Sequence, residues 1–210
     1  RLMQAVCIHF FLPIMKGQLI VDLAGSDLPL GKARLDSTTM NEWCQALKWD
    51  GPKRTKRHIP PPVEFVKSCL ESLNTPRPTL LLGQVKMPEM NVAAFAEADL
   101  HQLRESLEQQ QLTSVRIRMN LHRKTGTDIE GDMVVYLQRQ EPDQRCDTYY
   151  VREGMTITKL NSKAALKGIQ ALVLVDKGPL AQLLGDSEGP SHEDWDTSEE
   201  RPNRLWKKWK

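Results

Sequence analysis

A chain of 210 residues with 40% hydrophobic and 27% charged side chains can build one large core or two small ones, and is too apolar for disorder throughout. Its 29 basic and 27 acidic residues leave a net charge of +2, so no global field drives it toward nucleic acid or membrane. The longest apolar run, Val6 to Ile14, is interrupted by His9 and Pro13 and falls short of the ~20 residues of a spanning helix, so no membrane partner is expected.

The chain opens at Arg1 with no initiator Met, signal peptide or transit peptide, and this reads as a piece of something longer. Met3 to Leu12, apolar with β-branched and aromatic content, predicts a strand paired across a Lys16-Gly17 turn with a second strand at Gln18 to Leu23. Gly31 to Leu35 adds a short edge strand. Asp36 to Thr39 then supplies capping residues for a helix through Met40, Trp43, Cys44 and Leu47. These elements form an N-terminal region, 1–50. A basic, proline-rich linker or loop spans 51–62, with Lys53, Arg54, Lys56, Arg57 and His58 ahead of three consecutive prolines.

The main α+β domain is expected over 63–185. It starts with a short helix, Val63 to Leu73, and a strand, Thr79 to Val85. A long amphipathic helix is predicted from Val92 to Gln110, capped by Asn91, with Val92, Ala96, Leu100, Leu103 and Leu107 on one face. Strict alternation follows, with Val115, Ile117, Met119 and Leu121 on one side and Arg116, Arg118, Asn120 and His122 on the other. Met133 to Arg139 pairs with that strand through a hairpin loop at Arg123 to Asp132, and Tyr149 to Arg152 and Met155 to Thr158 extend the sheet. A short helix capped at Asn161 and Ser162, a buried strand at Ile169 to Val175 and a helix at Pro179 to Leu184 make a helix-strand-helix unit. An acidic loop and a basic, tryptophan-containing tail close the chain over 186–210. The fold class is therefore α+β, with mixed sheets and packed amphipathic helices.

Four cysteines, Cys7, Cys44, Cys69 and Cys146, show no CxxC pair and no zinc-finger spacing, and Cys7 and Cys69 lie in apolar patterns. Cys7 and Cys69 read as reduced core thiols of a cytoplasmic protein. The most distinctive segment is GDSEGPSHEDWDTSEER, Gly185 to Arg201, where carboxylates surround His192 and Trp195. His192, Asp194 and Asp196 are weak candidates for a divalent metal or an acid–base pair, against the alternative of a solvated acidic loop with a Ser191–Asp194 capping box. Asp176 stands just past the carboxyl end of a buried strand, where ligands bind in open α/β sheets and where capping aspartates also occur. Arg116 and Arg118, with Lys53 and Arg54 of the basic loop, are candidate phosphate contacts, or solvated surface. No phosphate-binding GxxxxGK[ST] loop, GxGxxG turn, GxSxG elbow or HExxH helix is present, so no self-contained active site of a well-marked class is expected.

The strands carrying Arg116, Arg118 and Arg139, the Tyr-Val-Arg-Glu-Gly of Tyr150 to Gly154, and ALVLVDKGPLAQLLGDSEGPSHED from Ala171 to Asp194 together carry a resemblance. They resemble the region after the ATP-binding domain in large, little-characterised bacterial proteins of the gyrase B, histidine kinase and MutL ATPase superfamily. The resemblance covers mainly the second half of the chain. It implies an α/β transducer with a ribosomal-protein-like fold, whose basic loop meets the γ-phosphate of a nucleotide held by a preceding ATPase domain. Lys124 in HRKTGT is then the sensing residue, with Arg123 second. ATP and Mg²⁺ would belong to the intact protein, none to this chain, and the partner would be the N-terminal ATPase domain. A nucleic-acid-associated module, or a metal-dependent hydrolase built on His192, stands as the alternative.

Overall fold

The computed structural model describes residues 2–26, 28, 31–49, 60–82, 96–141, 146–160, 168–189, 191–192, 194–195 and 208–209. It is an α+β protein that divides into two compact units, Arg1–Leu73 and Asn74–Lys210. Among the described residues no helix is long and apolar enough to cross a membrane.

The first unit corrects the expected opening strand. Met3 to Leu12 lies inside a helix, α1 (Leu2–Met15), whose buried side chains include Met3, Cys7, Phe11 and Ile14. Their spacing of four, four and three is one helical face. Pro13 has no N–H to bond the carbonyl one turn back, and the backbone leaves helical geometry at Phe10 (φ −125°, ψ 18°). The strand pair forms instead between β1 (Val21–Ala24) and β2 (Lys32–Leu35), antiparallel, with Val21 opposite Leu35. Asp36 then turns the chain. Its Oδ1 accepts from the backbone N–H of Thr38 (2.9 Å) and Thr39 (3.1 Å) and from the Thr38 hydroxyl (2.7 Å), which holds this carboxyl well below the usual carboxylate range. Helix α2 (Met40–Ala46) follows where the capping residues predict it. Helix α3 (Val63–Glu71), which the sequence pattern puts at the head of the main domain, belongs to this first unit and packs on α1. Of the expected linker at 51–62, residues 51–59, with Lys53 and Arg54, lie outside the described residues.

The second unit is built on a six-stranded sheet. Its strands are β3 (Thr79–Leu82), β4 (Thr113–Leu121), β5 (Ile129–Arg139), β6 (Thr148–Arg152), β7 (Met155–Thr156) and β8 (Ile169–Val175), in the order β3-β4-β5-β8-β6-β7. β3 runs parallel to β4 and β6 parallel to β8, while β5 is antiparallel to both β4 and β8. Four strands, β3, β4, β6 and β8, therefore point the same way, and their carboxyl ends share one edge. The expected alternation in β4 is seen: Val115, Ile117 and Leu121 are buried, and Arg116 and Arg118 are not. β8, expected to lie in a parallel sheet, has one parallel and one antiparallel neighbour and is mostly buried.

Helix α4 (Glu97–Glu108) is shorter than the predicted Val92 to Gln110, whose first residues, 92–95, lie outside the described ones. It lies against β4 and β5, and Leu100, Leu103 and Leu107 are only half-buried. Helix α5 (Pro179–Ser187) opens on the predicted proline and packs on β5. Here Gly131, expected in the hairpin loop, sits inside β5. A Cβ at this position would come within 2.8 Å of both Leu121 Cδ1 and Leu180 Cβ, so the glycine sets how closely α5 approaches the sheet. Leu121, Val175, Leu180, Ala181 and Trp209 form the core beneath that helix. The predicted helix at Asn161 and Ser162 falls on residues 161–167, outside the described ones.

Candidate functional site at the carboxyl end of the sheet

The loop after β4, the β6–β7 turn and Asp176 after β8 all emerge at the shared carboxyl edge. The β6–β7 turn is two residues long, Glu153 (φ 48°) and Gly154 (φ 87°), between the paired Arg152 and Met155. Left-handed backbone at both central positions matches the right-handed twist of the flanking strands, which explains the Glu-Gly of the Tyr-Val-Arg-Glu-Gly run. The turn leaves Arg152 at the last position of β6, opposite Val175 of β8.

Arg152 meets the distal acidic segment there. Its Nε donates to Glu188 Oε1 and its Nη2 to Oε2 at 2.8 Å, a two-pronged grip on one carboxylate, while Nη1 pairs with Glu153. Two more donors complete Glu188: His192 Nδ1 lies 2.7 Å from Oε2 and Trp195 Nε1 donates to Oε1 at 3.1 Å. An ionised carboxylate only accepts, so His192 carries a proton on Nδ1 in this arrangement. The Glu188 side chain is 1% exposed and that of Arg152 11%. Burial by itself would raise the Glu188 carboxyl, but the bonds from Arg152, His192 and Trp195 outweigh it and the net shift is downward. The bond to Glu188 outweighs burial for Arg152 as well and raises it above its ordinary value.

The rest of the motif serves the same contact. Gly185 stands where a Cβ would lie 3.2 Å from Arg152 Nη1, so the guanidinium lies close over the last turn of α5 at this residue. The Ser187 hydroxyl donates to the Leu184 carbonyl at 2.6 Å and closes the helix. Glu188 and Trp195 form an isolated antiparallel bridge, and Trp195 meets the Tyr150 ring edge-on at 5.9 Å. Asp186 turns the other way: it accepts from Trp209 Nε1 (3.1 Å) and from Lys208 Nζ (3.1 Å).

Trp209 links this region to the loop after β4. Buried to 3% exposure, it bridges Arg123 and lies 5.5 Å from the Arg123 guanidinium, a cation–π contact. The Lys124 N–H donates to the Lys208 carbonyl at 2.9 Å, and the loop is closed at its base by His122 and Asp128, 2.7 Å apart. The backbone of Lys124 is thus pinned while its side chain is exposed. A cleft of about 630 Å³ opens beside these groups, lined by Arg123, Thr125, Glu153, Gln182, Lys208 and Trp209 among others.

No family model, no curated protein and no solved structure matches this chain.

The structure distributes the sequence candidates unevenly. Arg123 lines the cleft, while Lys124, between Arg123 and Thr125 in the chain, is exposed and does not line it. Asp176 is exposed beside it and does not line it. Arg116 and Arg118 face carboxylates of the neighbouring strand, Asp132 at 3.6 Å and Glu130 at 3.7 Å, in partly exposed ion pairs. His192 is engaged with Glu188, Asp194 has a buried Oδ1 without a hydrogen-bond partner, and Asp196 lies outside the described residues. Among the described residues no three His, Cys, Asp or Glu side chains converge as a metal site would require. Within the acidic segment the Glu188 carboxylate is not solvated but enclosed, its side chain 1% exposed. Arg152, Glu188 and Trp209 are the residues that sequence reasoning missed as a set. The motif itself was conspicuous, but its partner across 36 residues of chain was not.

Proposed function

We propose that this chain is a non-catalytic coupling module of a larger bacterial cytoplasmic ATP-binding protein, relaying nucleotide state from an N-terminal ATPase domain. The observation that supports this reading is the loop of His122 to Asp128, which offers an exposed Lys124 ammonium on a backbone tied to α5. From Lys124 the connection runs through the Lys208 carbonyl and the Trp209 indole to Asp186, and from α5 to Arg152 and Glu188. A cation held by a γ-phosphate and released after hydrolysis would pull on that chain of contacts. ATP and Mg²⁺ are the cofactors of the intact protein in this reading, and Arg123 takes the second place at the phosphate.

In a protein that joins an ATP-binding domain to this chain, Lys124→Ala is expected to lower ATP turnover by at least ~tenfold, because it removes a cation that would stabilise charge on the transferring phosphoryl group. Unchanged turnover would remove the role. The alternative, a nucleic-acid-associated module or a metal-dependent hydrolase, has less support, because Arg116 and Arg118 already face carboxylates and His192 is spent on Glu188. Binding to single-stranded DNA that weakens steeply with salt, or Mg²⁺- or Mn²⁺-dependent activity lost in His192→Ala, would reverse that preference.

A further inference from the structure

Trp209 is as buried as a core residue, yet few bonds attach its segment. The ring joins Leu121, Val175, Leu180 and Ala181 beneath α5. Its polar contacts go to two places. On α5, Asp186 accepts from the indole N–H and from Lys208 Nζ, each at 3.1 Å. In the loop after β4, the Lys124 N–H donates to the Lys208 carbonyl at 2.9 Å and the Arg123 guanidinium lies 5.5 Å from the ring. Trp209 meets Arg123 in an isolated bridge and not in a strand ladder, and the Lys208 side chain is 59% exposed.

Two features distinguish this from an ordinary core tryptophan. Its site has charged walls, Asp186 and Arg123, and both line the cleft of about 630 Å³ that Trp209 also lines. Water entering from the cleft reaches those walls once the ring leaves, so undocking does not strand unsolvated charge in a dry void. The sheet and α5 also keep their own packing, since α5 lies on β5 and Leu180 and Ala181 remain in the core. Opening this segment therefore costs less than unfolding the unit.

We propose that Lys208 and Trp209 are a dissociable intramolecular ligand, seated in a peptide groove between α5 and the loop after β4. Asp186 recognises the indole N–H and the ammonium together, the Lys124 N–H takes the peptide carbonyl, and the Arg123 guanidinium meets the ring. Undocking breaks the Lys124 bond and frees Arg123 from the ring, so occupancy of the groove sets the state of this loop. The inference does not rest on the coupling reading, and its test uses no nucleotide.

The test measures the anisotropy of a fluorescein-labelled peptide with the sequence of residues 204–210, added to the full chain. The Trp209→Ala chain, whose groove is empty, should bind it at least ~tenfold more tightly than wild type, whose own segment competes at high effective concentration. Replacing Trp209 by alanine in the peptide should abolish that gain, as should Asp186→Asn in the Trp209→Ala chain. Equal binding to both chains, or binding to neither, would overturn the proposal. Should the Trp209→Ala chain lose its fold, hydrogen exchange of wild type decides. The Lys124 amide and the Trp209 indole N–H are expected to exchange at least ~tenfold faster than the Ile117 amide within β4; equal rates would mean that the segment leaves only when the unit unfolds.

Discussion

Arg118–Glu130 and Arg152–Glu188 are the same chemical pair held by the same sheet, and they differ in almost everything that gives such a pair value. The first lies 3.7 Å apart on the sheet face with side chains 37% and 67% exposed. The second is two-pronged and enclosed, and His192 and Trp195 fill the remaining acceptor positions of its carboxylate. Water competes for the first pair and screens it, whereas desolvation of the second is compensated only by a full set of donors. The presence of charge therefore says little; the number of bonds and the exclusion of water decide.

Glu188→Ala should break the comparison most visibly. It leaves the Arg152 guanidinium buried with Glu153 as its one remaining carboxylate among the described residues, and a loss of about 3–5 kcal/mol in urea unfolding of the second unit is expected. The double change Arg152→Met with Glu188→Leu should recover most of that loss if the contact serves packing alone, and a smaller recovery would show that the charges specify the conformation. Acid should act on the same group. Because the folded Glu188 carboxyl titrates below its unfolded value of about 4.3, its contribution is complete above that pH and fades as pH falls through the depressed folded value. Urea midpoints measured from neutral pH down to ~3 should drop more for wild type than for Glu188→Gln.

Asp186→Ala comes next, at roughly 1–3 kcal/mol, since it removes a charged acceptor from the buried Trp209 indole and from Lys208. It should also quench the link to the loop of Lys124, seen as faster amide exchange at Lys124, whose N–H depends on the Lys208 carbonyl. Glu130→Ala should cost least, about 0–1 kcal/mol, with the cost larger in low salt than in high. A cost for Glu130→Ala comparable to that of Glu188→Ala would refute the distinction between the two pairs.

The α1 helix shows where sequence reading fails. A segment apolar on every side offers a strand and a helix equally, because periodicity fades when all faces are hydrophobic. Met3, Cys7, Phe11 and Ile14 did carry helical spacing, but aromatic and β-branched neighbours obscured it. β4 shows the opposite case: one face met the core and the other met water, so the alternation was written plainly. Gly131 belongs to a third kind. Its composition suggests a loop, and only the approach of Leu180 from a distant helix gives it a place inside a strand.

By itself the sequence determined the α+β class, the helices and strands with one wet face, the turn at Asp36 and the segment around Glu188 as the feature to explain. These are local properties, fixed by periodicity and by hydrogen bonds within a few residues. Only the tertiary structure decided that four strands end on one edge, that Arg152 meets Glu188 of the acidic segment, and that Trp209 joins the loop of Lys124 to α5. Each of those depends on desolvating groups far apart in the chain, and a buried charge acquires its chemistry from the partner that folding brings to it.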